Sequence, residues 1–121
     1  MTQVYWYGTE RTPVTVKEAL RRLEALEELT AADVTIEVDP VGILTILLSS
    51  ERGFVMWMTE AGDVGKVASV PSGVRAHWYF MLSNGQRDVY EDGQTVPRED
   101  ALRIARWFIE APERLPEVNW E

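Results

Sequence analysis

The chain reads as an α+β protein, an antiparallel β-meander sheet with two helices packed on one face. Three observations predict this. Two segments carry apolar residues at helical spacing on one side only. The rest of the chain breaks into short apolar or alternating runs separated by turn residues. The order is strand, helix, a run of strands, then helix. Strands grouped together, with helices before and after them, form an antiparallel sheet with helices gathered on one face.

The first strand is the aromatic-rich run from Val4 to Tyr7. Thr15-Val16-Lys17-Glu18 then has capping-box spacing, a hydroxyl at the cap and a Glu three residues later. Val16, Leu20, Leu23, Leu26 and Leu29 follow at helical intervals, with Arg21, Arg22, Glu24, Glu27 and Glu28 largely opposite. Val34 to Val38 alternates as a half-buried strand does, and Asp39-Pro40-Val41-Gly42 turns it into a strand from Ile43 to Leu48. After the turn at Glu51-Arg52-Gly53 comes Phe54 to Thr59, apolar on both faces and therefore expected to be a buried central strand. Lys66 to Val70 is a further candidate. Arg75 to Leu82 and Arg87 to Tyr90 flank Asn84-Gly85, the strongest short-range hairpin signal. Pro97 opens the second helix, where its missing N–H costs nothing. Ala101, Ile104, Ala105 and Phe108 form that helix's apolar stripe, and Pro112 ends it.

Behind this helix the chain runs Leu115-Pro116-Glu117-Val118-Asn119-Trp120-Glu121. Termini fray unless something ties them down, and a packed Trp buries roughly 200 Å2. Val118 and Trp120, two residues apart, are therefore expected to dock as a short extended clasp.

With a two-residue loop at Asn84-Gly85, Phe80 faces Val89 and Tyr79 faces Tyr90. Trp78, Phe80, Leu82 and Val89 then form a helix-covered core face. His77, Tyr79, Met81, Asp88, Tyr90 and Asp92 form the other, whose rings and carboxylates suit a basic protein surface. The candidate partner-binding residues are therefore Tyr79, Asp88, Tyr90 and Asp92, with the acidic loop around Glu60 and Asp63 as the second choice.

Composition narrows the function classes. The 121 residues suit one domain spanning 1–121, large enough to bury a core unaided. Lys plus Arg number 12 and Asp plus Glu 20, a net charge of −8, which repels nucleic acid and anionic lipid and attracts basic partners. No direct nucleic-acid or membrane partner is expected. The absence of Cys removes disulfides, thiolate nucleophiles and cysteine metal sites. The start of the chain lacks a basic stretch followed by an apolar one, so no secretory signal is expected and a cytoplasmic setting is.

Catalytic signals are thin. His77 is the one histidine, which rules out a multi-histidine metal site. No Ser sits in a nucleophile elbow. Gly62-Asp63-Val64-Gly65 lacks the further glycine and the lysine of a phosphate-binding loop. Glu27-Glu28 and Glu99-Asp100 lie on helices, where sequence neighbours point apart. No enzyme, cofactor or metal is expected.

Taken together, Val96-Pro97, the helix bearing Ala101, Ala105 and Phe108, and Pro116-Glu117-Val118-Asn119-Trp120 resemble the first numbered family of bacterial immunity proteins from polymorphic toxin systems. The resemblance covers most of the chain, and its motif-like part is the last quarter. The family often has a Gly between the second helix and the terminal Pro, where this chain has Ala111-Pro112-Glu113-Arg114-Leu115. The resemblance implies a non-enzymatic, immunity-protein-like domain that binds and neutralises a toxin commonly encoded beside it, often of the deaminase superfamily. Such a toxin needs a cationic channel for its nucleic-acid substrate. The competing reading is a small intracellular enzyme or ligand carrier on the same scaffold, and a third is an interaction module without a toxin.

Overall fold

A computed structural model of the chain describes residues 2–60, 62–112 and 118–121. Strands β1 (Gln3–Tyr7) and β2 (Arg11–Val14) lead into helix α1 (Val16–Leu26). The meander β3 (Ala32–Asp39), β4 (Gly42–Leu48), β5 (Arg52–Met58) and β6 (Lys66–Ser69) follows, then the hairpin β7 (His77–Met81) and β8 (Arg87–Glu91). A single 3-10 turn (Asp92–Gln94), the short strand β9 (Val96–Pro97), helix α2 (Arg98–Glu110) and strand β10 (Asn119–Trp120) complete the chain. The main sheet has the order β10-β6-β5-β4-β3-β1-β2, with β9 also on β5, and β7-β8 forms a separate two-stranded sheet. The pairings are antiparallel throughout, so the architecture is the α+β meander expected. Strand β2 is not expected from the sequence, being too short and interrupted by a proline to read as a strand. Its Pro13 has no N–H to offer a ladder and is tolerated because β2 lies at the sheet edge.

Alternation along the strands assigns the two faces. Val34, Ile36, Leu44, Ile46, Leu48 and Val55 are buried on the face that carries the helices. Ala101, Ile104, Ala105 and Phe108, the stripe read from the sequence, are fully buried in the same core. Thr15 caps α1, its hydroxyl accepting from the Glu18 N–H at 3.0 Å. Arg98, the first residue of α2, donates to Ser49 O (2.6 Å) and Leu26 O (3.0 Å), and also to Leu29 O. One guanidinium thus satisfies carbonyls at the end of α1 and ties the two helices together. At Gly53 a Cβ would stand 2.5 Å from the Cβ of Ala101, so α2 lies directly on the backbone of β5.

On the opposite face Leu47 and Phe54, cross-strand partners, pack against Trp78 and Phe80 of the hairpin. Here the structure corrects the sequence reading twice. The inward side of the hairpin is covered by the sheet and not by a helix. The register is also shifted by one residue, with Tyr79 opposite Val89, Phe80 opposite Asp88 and Trp78 opposite Tyr90. The reason is a three-residue loop: Leu82 N–H donates to Gln86 O at 2.8 Å, and Gly85 N–H to Leu82 O at 3.0 Å. Gly85, at φ +88°, supplies the left-handed residue of that loop. One step of register sends every β8 side chain to the other face. Tyr90 consequently stacks on Phe54 (3.9 Å between centroids, 17°), while Val89 is 52% exposed.

The base of the hairpin is held by Asp92. Its carboxylate accepts from the backbone N–H groups of Ser72 and Gly73 (2.9 Å each), the Ser72 hydroxyl (2.8 Å) and the Trp78 indole (2.7 Å). These bonds, that from Gly73 N–H above all, pull its carboxyl down to about 2 against the opposing effect of burial. At the other end of the sheet the clasp is in place. Asn119 and Trp120 pair with Ser69 and Ala68, and Val67 and Glu121 exchange backbone bonds of 2.9 Å. Trp120 lies 6.3 Å from Trp57, and Val118 and Trp120 pack on the main core. Residues 113–117, which include Pro116 and Glu117 of the terminal motif, lie outside the described residues.

Two outcomes are expected. Trp120→Ala should lower stability by about 3 kcal/mol, the low end for a truncated aromatic because this ring is only partly buried; a calorimetric melt unchanged from wild type would refute the clasp. Asp92→Asn should melt below wild type at neutral pH. Because the folded-state pKa is depressed, the stabilisation is complete above the ordinary carboxylate pKa near 4 and is lost as pH falls toward about 2. The melting-temperature gap between the two proteins should therefore close over that interval.

Candidate partner-binding surface

The hairpin covers only part of its side of the sheet. Tyr5, Tyr7, Thr35, Glu37, Ile43 and Thr45 occupy the same face by register beyond it. Glu37 is the best-held group there. Arg11 grips it in a bidentate pair (2.8 Å to each oxygen), and the Tyr7 hydroxyl donates to Oε1 at 2.8 Å. The Arg11 guanidinium lies 3.6 Å from the centre of the Tyr5 ring. Arg11 holds the Glu37 carboxyl below its usual range, and the hydrogen bond to Glu37, with burial, pushes the Tyr7 phenol up. The Glu37 side chain is only 15% exposed, whereas Arg11 is 47% exposed on the edge strand.

A cleft of about 470 Å3 opens beside this cluster, between Tyr7, Arg11, Glu37, Asp39, Thr59 and Glu60. The strand alternation that puts Glu37 on this face also puts Asp33 and Asp39 there. Asp33 accepts from the backbone N–H and hydroxyl of Ser83, both at 3.0 Å, and so fixes the hairpin tip. The β5–β6 loop approaches the same face, since a Cβ at Gly65 would stand 2.5 Å from Met56 Cγ.

The residues singled out from sequence fall into four environments. Tyr79 is on the outer face of the hairpin, 51% exposed. Asp88 and Tyr90 are on the inner face, turned toward the sheet, where the Tyr90 hydroxyl donates to Asp88 Oδ2 at 2.9 Å. Burial and then this bond push the Tyr90 phenol up to about 12. Asp92 lies past the end of β8 with its carboxylate committed to the hairpin base. The expectation of one continuous face bearing Tyr79, Asp88, Tyr90 and Asp92 is thus corrected by the register. Glu60 and Asp63 are exposed on the β5–β6 loop. Asp63 accepts from the Thr59 hydroxyl at 2.5 Å, and that bond leads in holding its carboxyl below the ordinary value.

Two features escaped the sequence reading. One is the Tyr7–Arg11–Glu37 cluster, in which Glu37 lies far along the chain from the other two; the alternating polar positions Asp33, Thr35, Glu37 and Asp39 were the available signal. The other is Val89, assigned to the core face from sequence, which the register places beside Tyr79 and Met81 on the outer side of the hairpin at 52% exposure. Among the described residues no group of three or more His, Asp or Glu side chains is placed to hold a metal ion. No helix among them is long and apolar enough to cross a membrane.

Comparison with known proteins places the chain in a family. The family model described as Immunity protein Imm1 matches residues 8–121. No curated protein matches the chain. The match takes in every element after β1, from the edge strand that carries Arg11 to the terminal Trp120 clasp, and on that ground the chain belongs to the Imm1 family of immunity proteins: it binds a cognate toxin and neutralises it.

Proposed function

We propose that the toxin neutralised by this chain is a nucleic-acid-modifying domain of the deaminase type from a polymorphic toxin system. On this reading it acts in the cytoplasm, by binding and without catalysis, as one domain spanning 1–121. The deaminase type is what the resemblance of the terminal motif implies, and the observation that supports a nucleic-acid-modifying toxin is the sign of the charge. A chain of net charge −8 is repelled by nucleic acid but attracted to whatever binds nucleic acid. A toxin that draws a polyanion into its active site presents a cationic channel. Carboxylates held at fixed positions can occupy such a channel in place of phosphates, because Arg recognises both through the same bidentate geometry.

Of the six residues first considered, Glu60, Asp63 and Asp88 are the ones we assign to this contact. Glu60 and Asp63 are exposed on the same loop, and Glu60 lines the acidic cleft. Asp88 is half-buried on the inner hairpin face, with Tyr90 as its hydrogen-bonded neighbour. The role of Asp92 is indirect, since its oxygens are already occupied in holding the base of the hairpin. Tyr79 belongs to a different surface.

Protection from a catalytic toxin requires a very small free fraction, so the complex should have Kd of roughly nM or lower, about −12 kcal/mol or stronger. Titration calorimetry with the adjacent toxin gene's product measures this, and an affinity no better than micromolar would count against the function. Reversing Glu60, Asp63 and Asp88 to Lys should slow association several-fold at low salt and flatten its dependence on ionic strength. Association rates that stay as fast and as salt-dependent as wild type would move the toxin contact off the acidic side.

A further inference from the structure

Solvent-facing positions of an antiparallel hairpin are ordinarily polar, yet on the outer side of β7–β8 Tyr79, Met81 and Val89 form a contiguous exposed patch beside the polar His77, Arg87 and Glu91. Tyr79 and Val89 are direct cross-strand partners, and Met81 continues the row; all three are about half exposed (51%, 52% and 48%). Arg87, opposite Met81, lays its guanidinium 4.6 Å from the centre of the Tyr79 ring. Among the described residues Arg87 makes no ion pair, and it is exposed. Tyr, Met and Arg around an apolar centre is the composition enriched in protein interfaces.

We infer that this outer hairpin face is a second, apolar contact for the toxin, taking a toxin surface of apolar side chains with a carboxylate set to meet Arg87. The inference rests on the toxin-binding reading above and names a separate site for it. A second copy of the chain fits the face less well. Strands of five residues spaced ~4.8 Å apart make a plate of roughly 17 Å by 10 Å, far below the ~800 Å2 that a stable interface takes from each partner. Two copies stacked on this face alone would bury too little. A partner that reaches past the hairpin has no such limit. Such a partner is at hand in the toxin, because among the described residues β8 pairs only with β7, and its inner side bears Asp88, one of the residues assigned to the acidic contact. A toxin closing around β8 would meet an acidic surface on one side and an apolar one on the other.

The two surfaces predict different kinetics. Charged contacts set the rate of encounter, and packed apolar contacts set the lifetime of the complex. Tyr79→Ala, Val89→Asp and Arg87→Glu should each raise the dissociation rate from the adjacent toxin gene's product about tenfold or more, the range of an interface anchor. Association rates and their salt dependence should stay close to wild type in Tyr79→Ala and Val89→Asp. Circular dichroism and melting temperature verify the fold, and Tyr79→Ala, the mildest of the three, serves if Val89→Asp disturbs the strand. Wild-type dissociation in all three variants, with wild-type binding intact, would overturn this inference alone. Self-association that is lost in Val89→Asp would overturn it in favour of a second copy. A wild-type protein that fails to bind the toxin at all would overturn both this inference and the function it rests on.

Discussion

The constraint on which the rest depends is that β5 must be covered on both faces. Val55 packs beneath the helices while Phe54 packs beneath the hairpin, and both are buried. A strand apolar on both sides cannot face water, so it dictates a layer above and a layer below. Its edges are also taken, by β4 along one side and by β6 and β9 along the other. At its start, Arg52 is 5% exposed, donating to Thr95 Oγ1 (3.1 and 3.0 Å) and Val70 O (2.5 Å) and lying 5.6 Å from the Trp78 ring. Burial lowers its pKa, yet a guanidinium has ample margin to stay charged. A buried cation tolerates few rearrangements of its acceptors, so Arg52 locks the segments before β7 and before β9 to the same strand.

From that constraint the usable surfaces follow. The helices occupy one side of the sheet completely enough that Ala101, Ile104, Ala105 and Phe108 have no exposed surface. On the other side a two-stranded hairpin is too narrow to cover the sheet, and it leaves β1 and β3 with polar residues facing out. The acidic cleft exists because the second layer is small. The apolar outer side exists because the hairpin, anchored by Asp92 at its base and by Asp33 at its tip, needs no further cover to stay in place.

Carboxylates here divide into those used by the fold and those left for a partner. Glu37, Asp33 and Asp92 each accept from two or more groups of the chain itself. Arg11 offsets the charge of Glu37, and the acceptor oxygens of Asp33 and Asp92 are partly or fully taken by neutral donors of the fold. Glu60 and Asp63 sit on a loop with only local hydrogen bonding. An acidic composition therefore overstates the acidity available for binding, and hydrogen bonds, not residue counts, decide which carboxylates remain.

The sequence by itself determined the elements and their kind. Period 3.6 in α1 and α2, alternation in β3 and the two-sided apolar run of β5 are local signals, and they survive because each element buries the face its pattern advertises. The terminal clasp was legible for the same reason, since a Trp at a chain end has little to gain unless it docks. The family was legible from that clasp and the helix before it. The tertiary structure alone decided the hairpin register and, with it, much of the candidate surface. Asn84-Gly85 suits a two-residue or a three-residue loop, and Gly85 takes a positive φ in either. The choice rests on contacts distant in sequence: Tyr90 stacked on Phe54, Trp78 bound to Asp92, Ser83 bound to Asp33. Each of these forms with Tyr90 facing inward, and burying a second ring against Phe54 outweighs burying Val89 in its place, because an aromatic ring removes more apolar surface from water than a valine does.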